Sequence, residues 1–346
     1  MRVEKNNGMN ICIATGIYPP ELGGPAEYAK NLAEIWRAQD HHVSVKVFSR
    51  FNIFPSGLRH IIYFFSILPA LYRSDFVLAL DTISCALPAV LASKLFGKKI
   101  MLRTGGDFLW EAYVERTGDM VLLSDVYKTR MSKFSNKEKL VMKIISYVLR
   151  NVDTIIWSTE YQKNIFVNPY GLTNQKQTVI ENLYGPRIPS YEPKEKNFIA
   201  ATRPLKWKNL AMMKDVFERA DVMHAGARLD MKPAPHAEFL NKITHAYAVI
   251  IPTLGDISPN TILDAIRCGK PFIITTENGL TPRIKDIAVF VDPKNPDDIA
   301  KKVIWLCDEK NYNEQKKKVE NFSFTHTWED IAGEYMAVYK RIAYTK

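Results

Sequence analysis

Cysteine is scarce in this chain. There are four in 346 residues (Cys12, Cys85, Cys268 and Cys307), and none stands at a spacing that binds metal or supports redox exchange. That excludes a disulfide-stapled secreted scaffold and fits a reducing cytoplasm, with cysteine serving as a small core residue. Long apolar runs are missing too: nothing approaches ~18 consecutive apolar residues, so no membrane-spanning helix is expected. The polar start, Met1 to Asn10, has no apolar core of a signal peptide. Met9 precedes Asn-Ile-Cys-Ile-Ala as an initiator precedes a first strand, so residues 1–8 are expected to be an extension or to lie ahead of the true start. No internal repeat or low-complexity tract occurs.

What is present is ordinary for a globular protein: 47% hydrophobic and 24% charged residues, in a chain long enough to bury two cores. Short apolar runs alternate with helical patterns throughout, which predicts an α/β fold with parallel sheets. Strands are expected near 10–15, 43–48, 75–80, 98–103, 153–157 and 179–182. After them come 198–201, 221–225, 247–251, 271–275 and 288–291. Tyr184 to Lys196, with three prolines and alternating charge, reads as a linker. Two Rossmann-like halves follow, with ligands expected at the carboxyl ends of their strands.

Net charge is +10, from 47 basic and 37 acidic residues. Much of it is local. Between Val126 and Arg150 seven basic residues stand against one acid, Glu138, and from Lys137 onward Leu140, Val141, Ile144, Ile145, Val148 and Leu149 recur at helical spacing. This basic amphipathic helix suits an anionic membrane surface; a core-packed helix with a solvated basic face fits the pattern equally. No zinc-finger spacing, aromatic RNA-binding signature or helix-turn-helix cue accompanies the charge, so nucleic acid is not an expected partner.

Three stretches carry chemistry. The first strand runs into Thr15-Gly-Ile-Tyr-Pro-Pro-Glu-Leu-Gly-Gly-Pro, where Gly23 and Gly24 open a helix with Pro25 at its first turn. A glycine loop at a helix N-terminus suits phosphate, and the pattern is neither a Walker A loop nor G-x-G-x-x-G. The second is Arg203-Pro-Leu-Lys-Trp-Lys208, a basic loop in which Arg203, Lys206 and Lys208 are equal candidates by charge alone. The third runs from Thr253 to Pro271, placing Asp256 in a loop and Asp264 two turns into the following helix. Carboxylates accept from sugar hydroxyls while a helix start favours phosphate, so a sugar-nucleotide pocket is expected here. Taken alone, an Asp loop followed by a solvated Asp would also explain it.

The three segments, in this order, resemble the family-4 retaining glycosyltransferases of the GT-B fold, two Rossmann-like domains facing across a cleft. The third matches the family's acidic signature with both Glu positions replaced by Asp, at Asp256 and Asp264. The match extends through Ala265, Gly269 and Pro271 to Glu277-Asn-Gly-Leu280. Gly23-Gly24 resembles the opening segment and Arg203 with Lys208 the Arg-x4-Lys signature. The resemblance implies a metal-independent hexosyltransferase without a cofactor, whose co-substrate is a nucleotide diphosphate sugar. Its roles would be phosphate contact at Gly23 and Gly24, leaving-group stabilisation by Arg203 and Lys208, donor-sugar contact by Asp256 with Ser258, Pro259 and Asn260, and ribose contact by Asp264. No Asp-x-Asp triplet, the metal clamp of the other large glycosyltransferase fold, occurs. Where the family carries a sugar-touching His, this chain has Gly105-Gly106-Asp107, which makes Asp107 a candidate sugar contact and Arg103 and Glu111 weaker ones. The family's Gly-x-Gly-Pro loop is missing between Asp221 and His236, marking a shortened subtype.

The implied domains are residues 1–183 plus 328–346, an acceptor-side unit with a returning C-terminal helix, and residues 184–327, the donor-binding unit. The acceptor would be a glycan or a lipid-linked hydroxyl in cell-surface glycan or glycolipid synthesis, reached from the cytoplasm or the inner membrane face. Two rival readings are a catalytically decayed sugar-nucleotide-binding partner protein and a nucleotide-sugar epimerase of the same fold.

Overall fold

The computed structural model describes residues 8–21, 23–172, 176–200 and 204–344. The chain divides into two compact units, 1–105 with 135–182 and 327–346, and 106–134 with 183–326.

The first unit begins with β1 (Asn10–Thr15), α1 (Gly24–Ala38), β2 (His42–Val47), α2 (Leu58–Arg73), β3 (Phe76–Ala79), α3 (Ala86–Phe96) and β4 (Lys99–Arg103). After α4 (Phe108–Thr117) and α5 (Val126–Thr129) of the other unit, it resumes with α6 (Asn136–Arg150), β5 (Thr154–Trp157), α7 (Glu160–Tyr170) and β6 (Gln177–Val179). All six strands are parallel in the order β2-β1-β3-β4-β5-β6. Local chemistry sets the boundaries. Pro25 sits in the first turn of α1, Gly97 at φ 63° ends α3, and a reciprocal Ser135–Glu138 capping box starts α6. The path from β1 to β2 runs opposite to every later crossover. With right-handed connections, α1 therefore covers one face of the sheet and α2, α3, α6 and α7 the other. On the α1 face lies the last helix, Trp328–Ala343, whose Tyr335 meets Trp36 at 5.9 Å and whose Tyr339 stacks on Phe76 at 4.6 Å.

The second unit is built from β7 (Asn197–Ala200), α8 (Leu210–Phe217), α9 (Ala220–His224), β8 (Arg228–Asp230), α10 (His236–His245) and β9 (Ala248–Ile251). It continues through α11 (Asn260–Arg267), β10 (Phe272–Thr275), α12 (Thr281–Ile284), β11 (Val289–Val291), α13 (Pro296–Cys307) and α14 (Glu309–Glu320), before α15 (Trp328–Ala343) returns to the first unit. Its five parallel strands run β11-β10-β9-β7-β8. One apolar cluster packs α8 and α13 on the sheet, through Met213, Val216, Ile299 and Val303. The other packs α10, α11 and α12, through Phe239, Ile243, Ile262 and Ile284. The α/β class with two parallel sheets is as expected.

Three details differ from expectation. The strand expected over 221–225 is helix α9. Asp221 sits in its first turn, gripped by Arg219, which also reaches Asp297 at 2.7 Å; the strand forms only after Gly226, at φ 83°. Residues 106–134, assigned to the first domain by sequence order, group with the second unit. Trp110 packs on Trp207 at 5.4 Å and Leu123 N–H donates to the Leu254 carbonyl at 3.1 Å, contacts that no local pattern encodes. The basic run 126–150 is consequently divided: Lys128, Arg130 and Lys133 lie in the second unit, where Arg130 pairs with Asp119, and α6 lies in the first. The segment read as a linker is pinned to the second unit, because the Arg187 guanidinium donates to the carbonyls of Ile266, Val319, Glu320 and Phe322.

Candidate functional site

In an open parallel sheet, ligands settle beyond the carboxyl ends of strands where the strand order reverses. That point lies between β1 and β3 in the first unit and between β7 and β9 in the second.

In the second unit the loop after β9 and the single turn 206–208 after β7 come together at this point. Lys208 Nζ meets Asp256 Oδ2 at 3.1 Å, with only 13% and 14% of the two side chains exposed, and the ammonium stands 4.0 Å from the centre of the Trp207 ring. Leu254 N–H donates to the Trp207 carbonyl at 3.0 Å. Asp256 is further fixed through its backbone, its N–H donating to Glu277 O at 2.9 Å and its carbonyl accepting from Gly279 N at 3.1 Å. Asn278 braces that partner turn, accepting from Leu280 N and donating to the Thr275 carbonyl. Beside the pair, the Thr253 hydroxyl and the Trp207 indole N–H are buried with no hydrogen-bond partner among the described residues. Lys206, the alternative cation, is committed elsewhere: its Nζ donates to the Glu115 carbonyl at 2.7 Å and its N–H to Glu115 Oε1 at 2.6 Å. Arg203 lies outside the described residues.

Asp264 occupies the buried side of α11. Its Oδ2 contacts His236 Nε2 at 2.9 Å, and its Oδ1 accepts from Arg267 at 3.1 Å. An ionised carboxylate has about four acceptor positions, so two further hydroxyl donors remain compatible with it. Ser258 and Pro259 form the turn into α11, which starts at the exposed Asn260.

Asp107 departs from its expected role as a sugar contact. It is the N-cap of α4, with Oδ1 accepting from Leu109 N and Trp110 N and Oδ2 from the Tyr127 hydroxyl at 2.8 Å. The residue is 2% exposed, and burial pushes its carboxyl up to about 6 against the lowering pull of those bonds. Arg103 is likewise internal, donating to the Ile180 carbonyl and to Asn182 and standing over the Tyr28 ring.

In the first unit, Gly24 opens α1 and Gly23 adopts φ 154°, with Ile17 packed where a Cβ would project. The sequence did not single out Asp81, at the end of β3. Its Oδ2 stands 3.2 Å from where a Cβ on Gly16 would lie, and its Oδ1 accepts from Ile83, Cys85 and Ala86 N–H groups. Burial raises its pKa, and those backbone bonds lower it again. A carboxylate beside this loop favours hydroxyl donors over phosphate at that spot.

Asn209 was also missed. It holds φ 60° at the start of α8, and its amide donates to the carbonyls of Pro252 (3.0 Å) and Pro293 (2.7 Å), tying the loops after β7, β9 and β11 together. An Asn ahead of a helical run reads as an N-cap, but its side chain points across strands instead. Two clefts of about 600 Å³ border the sheet-edge strands β2 and β8, and neither is lined by these residues. No cluster of three or more His, Cys, Asp or Glu able to hold a metal ion occurs among the described residues.

The fold is that of the GT-B glycosyltransferase structures, shown by likeness over nearly the whole chain. Sucrose-phosphate synthase from Thermosynechococcus elongatus aligns with a TM-score of 0.68 at 10% identity, over 96% of this chain and 98% of that one. The catalytic domain of Arabidopsis thaliana starch synthase IV, bound to ADP and acarbose, aligns at 0.65 and 12%, over 98% and 100%. Anabaena HepE in complex with UDP aligns at 0.61 and 12%, over 97% and 98%. Neither a protein-family model nor a curated protein sequence matches the chain.

Proposed function

We propose that the chain is a family-4 type glycosyltransferase that moves a hexose from a nucleotide diphosphate sugar to a hydroxyl acceptor with retention of configuration. The observation that carries this reading is the mostly enclosed Lys208–Asp256 pair at the switch point of the second sheet. An ammonium and a carboxylate held side by side suit a donor whose diphosphate needs a cation and whose sugar hydroxyls need an acceptor. The orphaned Thr253 hydroxyl and Trp207 N–H add two buried polar groups that a ligand could satisfy.

In the proposed reaction the bond between the sugar C1 and the diphosphate oxygen breaks, and the electron pair leaves with the diphosphate. The acceptor oxygen bonds to C1 on the same face, and its proton passes to the departing phosphate oxygen. Lys208, with Arg203, stabilises the charge that grows on the leaving group, so it favours the transition state over the ground state. Asp256 holds the sugar, Asp264 accepts from the ribose, and Gly23 and Gly24 remain the phosphate contacts assigned by motif. The reading needs no metal. The bound nucleotides of the solved neighbours, UDP in HepE and ADP in starch synthase IV, make these two the first to try.

Calorimetric titration of UDP, ADP and GDP without metal tests the reading, on the unaltered chain and on Lys208→Ala. One nucleotide should bind in the ~µM range, with at least roughly tenfold loss in the variant, the scale of a charge-assisted hydrogen bond. Absence of binding by all three would sink it. Binding without turnover of any nucleotide sugar would instead identify the decayed binding protein, and turnover without an acceptor the epimerase.

A further inference from the structure

The outer face of the first unit carries a feature that the donor reading does not use. α2 packs on α3 and α3 on α6, side by side on the same face of the sheet. Along α2, Ile61, Phe65 and Tyr72 recur at helical spacing and are exposed, Phe65 by 63%. Leu95 of α3 (64%) and Leu140 of α6 (58%) are exposed as well. Single exposed apolar residues need no explanation, but bulky ones on three adjacent helices do.

The charge on these helices is one-sided. Two basic residues lie on α2, one on α3 and four on α6, against a single acid, Glu138, which is buried and engaged in the capping box of α6. Lys137, Lys139 and Lys143 are exposed, and among the described residues they form no ion pair. A second copy of the chain docked through this face would set like charge against like charge and gain no counter-charge. A surface that presents both negative charge and hydrocarbon matches it: cations lie at the level of lipid headgroups while Phe and Leu enter the acyl boundary.

We infer that the α2–α3–α6 face is a docking surface for a bilayer containing anionic phospholipid. The expectation that residues 126–150 lie on a membrane is thereby narrowed to α6 and extended to α2 and α3. The inference does not rest on the donor-site reading.

The test is co-sedimentation of the full chain with vesicles of phosphatidylcholine alone and of phosphatidylcholine mixed with phosphatidylglycerol. Two exposed-site variants accompany it, Lys139→Glu with Lys143→Glu, and Phe65→Ser, with thermal melts to confirm that both fold. Binding should require phosphatidylglycerol and weaken as salt is added. The double charge reversal should weaken it by at least roughly thirtyfold, about fivefold for each lost cation and more for the repulsion added. Phe65→Ser should weaken it by roughly tenfold. Equal sedimentation with both vesicle types, or indifference to either variant, overturns the inference. So does a dimer in solution that Phe65→Ser dissociates, since a second copy would then own the face.

Discussion

At the Lys208–Asp256 pair, the two partners should differ in what their loss does to ligand affinity. Asp256→Asn leaves a mostly enclosed ammonium without its counter-charge and should cost about 1–3 kcal/mol of stability, read from the denaturant midpoint. The same change frees Lys208 for phosphate, so nucleotide affinity should rise. Lys208→Ala should lower both. A fall in affinity for Asp256→Asn would mean that the pair is structural and the phosphate is bound elsewhere. Asp107 gives a pH-dependent counterpart. Its folded pKa, about 6, lies above the ordinary carboxylate value, so the folded chain binds the proton more tightly than the unfolded one. Stability from this group is therefore greatest below pH ~4 and is lost as pH rises through about 6, by a total of about 3 kcal/mol. Asp107→Asn keeps the cap acceptor and removes the titration, so the slope of melting temperature between pH 4 and 6 should flatten. An unchanged slope would show that other groups produce it. The motif spacing singles out Lys208, Asp256 and Asp264 as candidates. The Arg-x4-Lys spacing favours Lys208 over Lys206, and what it does not show is that Glu115 holds Lys206 on the 206–208 turn. Nor could it show that Asp107 is a cap, since a Gly-Gly-Asp turn reads alike whether the carboxylate faces solvent or its own helix.

Element boundaries were legible wherever a short-range signal exists, as at α6 with its capping box and the strand β9 with its apolar run. They failed where the decisive partner is remote. Asp221 to Ala225 carries enough apolar character for a strand, yet Arg219 anchors it as a helix to Asp297 on α13. The same remoteness hides the grouping of α4 and α5. The loop that follows β9 accepts Leu123 only because residue 255 is glycine: a Cβ there would collide with the Leu123 side chain. Gly255→Ala should thus separate 121–123 from the β9 loop, at about 1–3 kcal/mol. Leu123→Gly in the same chain should make the combined loss less than additive, since it removes the Leu123 Cβ, the atom nearest the added methyl. Additive losses in the double variant, measured by urea unfolding, would place the strain elsewhere. Asn209 belongs to the same scale, because its amide joins three loops at once; Asn209→Ala should cost about 2–4 kcal/mol through two buried carbonyls and the left-handed backbone.

Across the whole molecule, the units are interleaved in sequence, and the last helix is the most remote contribution to the first of them. α15 buries Ile331, Ala332, Tyr335, Val338 and Ile342. It closes the aromatic cluster of Trp36, Phe76 and Tyr339, and its Tyr335 hydroxyl meets that of Tyr28 at 3.0 Å. Each large side chain lost from such a core costs about 3–5 kcal/mol, so several together exceed the ~5–15 kcal/mol that stabilises an ordinary domain. Removing residues 327–346 should therefore unfold the first unit. The second unit has two apolar clusters of its own, whose buried members run from Tyr184 to Val319. Hydrogen exchange on the truncated chain should show β1 and β3 amides deprotected while β9 and β10 keep their protection. Because Lys208, Asp256 and Asp264 all lie in the second unit, nucleotide binding measured on the same sample locates the donor site independently. Retained affinity would place its principal contacts there. Loss of affinity with β9 and β10 still protected would show that the first unit supplies contacts the nucleotide cannot do without.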